Sequence, residues 1–213
     1  MIFEQIRVGG DRNFGYLVGD KESGTAIAVD PAYNPRLIYD LAGERGLTIR
    51  AIACTHSHFD HTNGNDELRE LTGAKVWMHE SAAGAEERGV RDGEEIEMGG
   101  LRVNVIHTPG HTADSVCYLV GGRLLSGDTL FVGKVGGTGY GDDARAEYDS
   151  LHTKLLALPD ETEVWPGHDY GVRPSSTIGE EKRSNPFLIQ PGFEAFLELK
   201  KNWLQYKKEH GIS

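Results

Sequence analysis

Short apolar runs alternate with amphipathic ones along the first half of the chain. Ile2 to Val8, Phe14 to Val18 and Thr25 to Val29 are brief, rich in β-formers and separated by Gly, Asp and Asn, which predicts three strands. Pro35 to Arg45 opens on proline and closes at Gly46, as a helix does. Ile49 to Cys54 is a near-continuous apolar run and predicts a buried strand. Asp66 to Leu71 then reads as helix and Lys75 to Met78 as strand. Further on, Leu101 to Thr108 alternates apolar and polar residues until Pro109-Gly110 breaks it. Val116 to Val120 and Arg123 to Ser126 predict a hairpin around Gly121-Gly122. Glu147 to Leu158 predicts an amphipathic helix with Leu151, Leu155 and Leu158 on one stripe, and Val164-Trp165 a last short strand. Phe193 to Glu209 predicts a terminal helix whose Phe196, Leu199, Trp203 and Tyr206 recur at helical spacing, a stripe suited to core packing. The mixture is α/β. Neither a repeat nor a linker interrupts it, so one domain over 1–213 is expected, ending in a short C-terminal helix at 193–209.

Charge narrows the partners. Lys and Arg number 22 against 33 Asp and Glu, a net charge of −11. Such a balance excludes a phosphate backbone as the expected partner and disfavours anionic membrane surfaces. No stretch approaches the ~18 apolar residues that a membrane span needs. Met1-Ile2-Phe3-Glu4-Gln5 lacks a basic-then-apolar leader, which makes the cytoplasm the expected location. Cys54 and Cys117 sit inside apolar runs, as buried thiols do, and form neither a metal-spaced pair nor a disulfide framework. The 28 glycines imply many tight turns.

The chemistry concentrates in His56-Ser57-His58-Phe59-Asp60-His61, directly after the buried strand. His56 and His58 stand at i and i+2, so on extended backbone their imidazoles point the same way and can share one ion. Asp60 and His61 then turn toward a second position. Three later residues repeat a local pattern of strand end, tight turn and ligand-type side chain: His111 after Gly110, Asp128 after Gly127 and His168 after Gly167. Seven candidate ligands divide into two sites, one from His56, His58 and His111, the other from Asp60, His61 and His168, with Asp128 able to bridge. Two divalent ions ~3.5–4 Å apart can share a water and lower its pKa toward ~7. Zinc is expected first, with iron or manganese accepting the same donors. The lone histidines His79, His107, His152 and His210 read as packing or helix-face residues. Asp30 at a strand end reads as support behind the ligand loop, and Asp169 as a turn or supporting acid.

The stretch from His56 to His61, followed in order by His111, Asp128 and His168, resembles the signature of the metallo-β-lactamase superfamily. The resemblance covers roughly residues 14–186. It implies an αββα four-layer sandwich, with two sheets back to back, helices outside and the metals at one edge. Gly127-Asp128-Thr129-Leu130-Phe131-Val132-Gly133 is similar to glyoxalase II, the hydroxyacylglutathione hydrolases, and so is Gly167-His168-Asp169-Tyr170. This branch implies a small-molecule thioester substrate carried on glutathione, hydrolysed at a dinuclear centre where Asp60 orients the attacking hydroxide. Tyr170 stands where that family's tyrosine contacts glutathione. Lys134 and Tyr140, on the glycine-rich loop beyond Asp128, are the further substrate-contact candidates. Where glyoxalase II continues with Gly-Cys-Gly-Arg, this chain has Lys134-Val135-Gly136-Gly137. The alternative is a mononuclear iron persulfide dioxygenase: His168-Asp169-Tyr170, Ser176-Thr177, Glu180-Glu181 and Asn185-Pro186 look like that branch, and His56, His111 and Asp128 would then hold one Fe(II). The oligomeric state stays open.

Overall fold

The structure, a computed structural model, describes residues 1–211; Ile212 and Ser213, the end of the expected domain, lie outside the described residues. Two six-stranded mixed sheets pack face to face. The first holds, side by side in chain order, β1 (Ile2–Gly9), β2 (Asn13–Asp20), β3 (Thr25–Val29), β4 (Thr48–Ala53), β5 (Lys75–His79) and β6 (Arg88–Val90). Its first three strands run antiparallel, and β3 to β6 run parallel. The second sheet contains β7 (Glu95–Met98), β8 (Leu101–His107), β9 (Val116–Val120), β10 (Arg123–Gly127), β13 (Glu163–Pro166) and β14 (Ser176–Thr177), ordered β14-β13-β10-β9-β8-β7. A two-stranded ribbon, β11 (Leu130–Phe131) with β12 (Lys134–Val135), stands between β10 and β13 in sequence. The β9–β10 turn uses Gly121 and Gly122, both at positive φ, as a two-residue hairpin of this hand requires.

Burial explains the layering. Phe14, Tyr16, Val29, Ala53, Val105 and Tyr118 are among the residues that fill the space between the sheets. The opposite face of the first sheet packs on α1 (Pro35–Glu44) and α3 (Asn65–Thr72) through Ile38, Ala42 and Leu68. The opposite face of the second packs on α4 (Asp142–Asp149), α5 (Ile178–Ser184) and α6 (Phe193–Lys201) through residues such as Leu151, Leu155, Ile178 and Phe196. The result is the expected αββα sandwich. Helix α1 begins where the sequence places it: Asn34 Oδ1 accepts from Leu37 N at 3.2 Å, and Pro35 occupies the first turn. Helix α5, absent from the hydrophobic pattern, starts on a reciprocal cap between Thr177 and Glu180.

Two predicted helices take a different form. The stripe expected over 147–158 is split: α4 starts earlier, at Asp142, and a π-helical turn, Ser150–Leu155, continues it. The Leu156 N–H reaches back to Leu151 O at 2.9 Å, the wider spacing that lets both Leu151 and Leu155 stay buried. The terminal helix breaks at Asn202, whose Nδ2 donates to Glu198 O at 3.0 Å and Glu198 Oε1 at 2.6 Å, so the side chain competes for groups that continuous helix leaves to the backbone. Beyond the break, α7 (Trp203–His210) buries no residue fully. No helix of the described residues is long and apolar enough to cross a membrane.

Candidate metal centre

Four strand ends converge on one edge of the sandwich. Strand β4 leads into His56 and His58, then into α2 (Phe59–Thr62) with Asp60 and His61; β8 leads to His111, β10 to Asp128 and β13 to His168. Main-chain bonds stitch these ends together: Gly167 N donates to Gly127 O (2.8 Å), Phe14 N to Gly167 O (2.8 Å) and Val116 N to Thr55 O (2.7 Å). The glycines before the three later residues serve two needs. Gly110 and Gly127 adopt positive φ, +149° and +49°, at the turn itself. Gly167 has ordinary backbone but no room: a Cβ there would lie 2.8 Å from His61 Cε1 and press on Asp128 Oδ1.

All seven candidate ligands meet. His58 Nδ1 lies 3.0 Å from His56 Nε2 and 3.0 Å from His111 Nε2. His61 Nε2 and His168 Nε2 are 3.2 Å apart, and Asp60 Oδ2 is 3.8 Å and 3.5 Å from them. Asp128 stands between the groups, with Oδ1 3.4 Å from His61 Nε2 and Oδ2 3.3 Å from His168 and 3.6 Å from His111. His56, His61, Asp128 and His168 are buried, while His58 is exposed and the Asp60 side chain is 34% exposed. Donor atoms within 4.8 Å of one another form three overlapping sets: His56, His58 and His111; His56, His61 and Asp128; Asp60, His61 and His168.

The opposite ring nitrogens settle what this cluster fits. His111 Nδ1–H donates to Gly137 O (2.7 Å), His168 Nδ1–H to Asp11 O (2.8 Å) and His61 Nδ1–H to the Asp30 carboxylate (2.9 Å). In the neutral ring each Nε2 is then a lone pair, and those of His61 and His168 face each other at 3.2 Å. Only a shared cation or an added proton makes that arrangement favourable. Donors at ~2.0–2.1 Å from a tetrahedral ion stand roughly 3.3 Å apart, close to the spacings seen. Asp128 Oδ1, buried and without a hydrogen-bond partner, is a further orphan that an ion satisfies.

Electrostatics agree. Burial depresses the His61 pKa, but Asp30, Asp128 and Asp60 more than offset it and raise it to about 9. Burial, with neighbouring imidazoles, pushes His56 well down and keeps its ring neutral. Asp128 is opposed by burial yet held below the usual carboxylate range by His168 and His61. The centre therefore attracts positive charge, holding His56 neutral and Asp128 ionised while the carboxylates favour a cation at His61.

Supporting residues divide into those the sequence signalled and those it did not. Asp30 takes the expected place behind the ligand loop, accepting from His61, from Thr55 N (2.8 Å) and from Thr55 Oγ1 (2.6 Å). Asp169 pairs with Arg7 and belongs to none of the donor sets. His79 and His107 stack on each other at 3.9 Å, outside the centre. Asn13 was not signalled: its Nδ2 donates to Asp60 O and Oδ2, both at 3.1 Å, across 47 positions. The start of β2, bridged to His168, brings it there.

The substrate-contact candidates separate. Tyr170 stacks on His168 (4.6 Å, 5°) and donates to Asp11 Oδ2 at 2.6 Å. Lys134 Nζ sits 4.1 Å over the Tyr170 ring. Both line a groove of about 610 Å³ beside the metal centre, together with Arg12, Arg173, Trp203 and Lys207. Burial, followed by Lys207, lowers the Lys134 pKa. Tyr140 lies apart from that groove, 58% exposed on the loop before α4.

An αββα sandwich with a histidine-and-aspartate cage at its strand ends defines a metal-dependent enzyme. This chain belongs to the metallo-β-lactamase superfamily, whose family profile matches residues 8–168. The hydroxyacylglutathione hydrolase of Polaromonas sp. is 39% identical over 178 residues, 80% of this chain and 67% of that enzyme. A probable polyketide biosynthesis zinc-dependent hydrolase of Bacillus velezensis is 31% identical over 207 residues, covering 94% of this chain and 90% of its own. The crystal structure of ETHE1 from Myxococcus xanthus shares the fold with a TM-score of 0.88 at 39% identity, over 95% of this chain and 91% of that one.

Proposed function

We propose that this enzyme hydrolyses a thioester of an acidic thiol carrier, with a hydroxyacylglutathione as the first substrate to test. The observation that carries the reading is Asp128, whose two oxygens reach His61, His168 and His111 at 3.3–3.6 Å and so serve both halves of one cage. Two divalent ions, zinc first, would supply ionised water at neutral pH and an electrophile for the carbonyl. His56, His58 and His111 would hold one, Asp60, His61 and His168 the other, and Asp128 both. Asp60, fixed by Asn13 and partly exposed, would accept a hydrogen bond from the attacking water and so orient it. A departing thiolate is weakly basic and needs little acid assistance. Lys134, Arg12, Arg173 and Lys207 give the adjacent groove a cationic lining on an acidic chain, suited to the carboxylates of a thiol carrier. Tyr170 ties that groove to His168 by stacking, and Tyr140, exposed on the loop before α4, would touch the carrier from outside the groove.

The second reading, a persulfide dioxygenase with one Fe(II) on His56, His111 and Asp128, is supported by His111 Nε2 standing 3.6 Å from Asp128 Oδ2 and by His56 sharing donor sets with His111 and with Asp128, the pairs a two-histidine, one-carboxylate face would need. Elemental analysis of purified protein, paired with hydrolysis of S-D-lactoylglutathione and O2 uptake on glutathione persulfide, separates the two. Hydrolysis with about two zinc or iron ions per chain supports the first. O2 consumption stoichiometric with persulfide, with one iron per chain, replaces it by the second.

A further inference from the structure

His111 depends on a loop that belongs to neither main sheet. Its Nδ1–H donates to Gly137 O at 2.7 Å, and Gly137 lies in the segment between β12 and α4. Behind that segment stands a buried ion pair. Glu147 of α4 is 0% exposed, Lys200 of α6 is 6% exposed, and the two are bonded side chain to side chain. Lys200 Nζ also donates to Gly136 O at 2.7 Å. Gly110, the residue before His111, packs on the Glu147 main chain so closely that a Cβ there would lie 2.7 Å from Glu147 N. A Cβ at Gly136 would lie 3.1 Å from both Glu147 Oε1 and His111 Cβ. One side chain therefore touches the turn that carries His111 and the loop that orients its ring.

Two charges withdrawn from water are a costly way to join two helices, and apolar residues of similar volume often do it better. The surrounding contacts, Tyr148 against Phe196 at 5.3 Å among them, already join α4 to α6 without charge. What apolar side chains lack is a donor for the Gly136 carbonyl, and an ammonium offers three.

We propose that Lys200, held in place by Glu147, is a positioning residue for His111: it anchors Gly136-Gly137 so that the Gly137 carbonyl keeps the ring proton on Nδ1 and leaves Nε2 aimed at His58 and Asp128. Helix α6 thereby takes part in the metal centre without touching it. This rests on His111 being a metal ligand. The test compares the native chain with E147Q/K200M, which removes both charges at nearly constant volume, and with His111→Ala, reading zinc affinity by chelator competition and folding by circular dichroism. The expected result is a folded double variant in which one zinc binds roughly 10–100-fold more weakly, the range for loss of a ligand-orienting partner, and His111→Ala weakens the same zinc. A folded double variant with native affinity beside a weakened His111→Ala overturns the role of Lys200 alone. Native affinity in His111→Ala overturns the metal reading, and this inference with it. If E147Q/K200M does not fold, Glu147→Asp carries the test, because it keeps the charge and draws Lys200 off the Gly136 carbonyl. The same weakening is expected of it, and native affinity there overturns the proposal.

Discussion

At the residue scale, the centre is a balance of lone pairs. His61, His111 and His168 each have one nitrogen committed to an acceptor, so the other is left facing its neighbours. Asp128 is the residue that reaches both halves, and Asp128→Ala is expected to abolish turnover and to strip the protein of most of its metal, read by activity and elemental analysis together. Retained turnover in that variant would count against the assignment. Gly167 offers a milder probe. A methyl group there meets His61 and Asp128, so Gly167→Ala should weaken metal binding at least tenfold while the circular dichroism spectrum stays native. Seven candidate donors could be named from the chain alone, four from their clustering at 56–61 and three because each follows a strand end and a glycine. Asn13, Lys200 and the Gly137 carbonyl could not, since nothing local distinguishes them from any other polar group.

At the scale of elements, local signals located most strands and only some helix boundaries. Strands β2 to β5 and β8 to β10 fall where apolar runs, alternation and glycines predict them, because burial on one face or both leaves a regular apolar pattern. Strands β6, β7, β11, β12 and β14 have two to four residues each, too short for a period to register. The expected helix over 193–209 contains the right stripe, yet Asn202 divides it. That division places Trp203 and Lys207 on the groove wall. Lys207→Gln is accordingly expected to raise KM for an anionic thioester about two- to fivefold, the value of a largely solvated ion pair, with kcat unchanged. Steady-state kinetics on S-D-lactoylglutathione checks this, and a fall in kcat at constant KM contradicts it.

For the whole molecule, the sandwich holds the centre by joining its two sheets at one edge. The ligands come from β4 of the first sheet and from β8, β10 and β13 of the second, and the bonds from Val116 to Thr55 and from Phe14 to Gly167 cross between them. An ion bound there couples the two halves and binds only the folded chain. At a hundredfold excess over its Kd it adds about 2.7 kcal/mol. For a chain of this size that corresponds to a rise in Tm of roughly 5–10 °C. Stripping metal with a chelator and restoring zinc in a thermal melt should reproduce that rise, and an unchanged Tm would show that the cage holds no ion in solution.

The chain by itself determined an α/β pattern and a set of candidate metal donors, and the αββα layering followed from a family resemblance. Alternating apolar periods specify which face of each element is buried, and a histidine cluster behind a buried strand specifies a metal. What tertiary structure alone decided is most of the second layer of the centre: Asp11, Asn13, Gly137 and Lys200 hold or frame ligands from as far as 157 positions away. Their roles depend on the direction of a single nitrogen or carbonyl, and direction is a property of packed elements that no local pattern encodes.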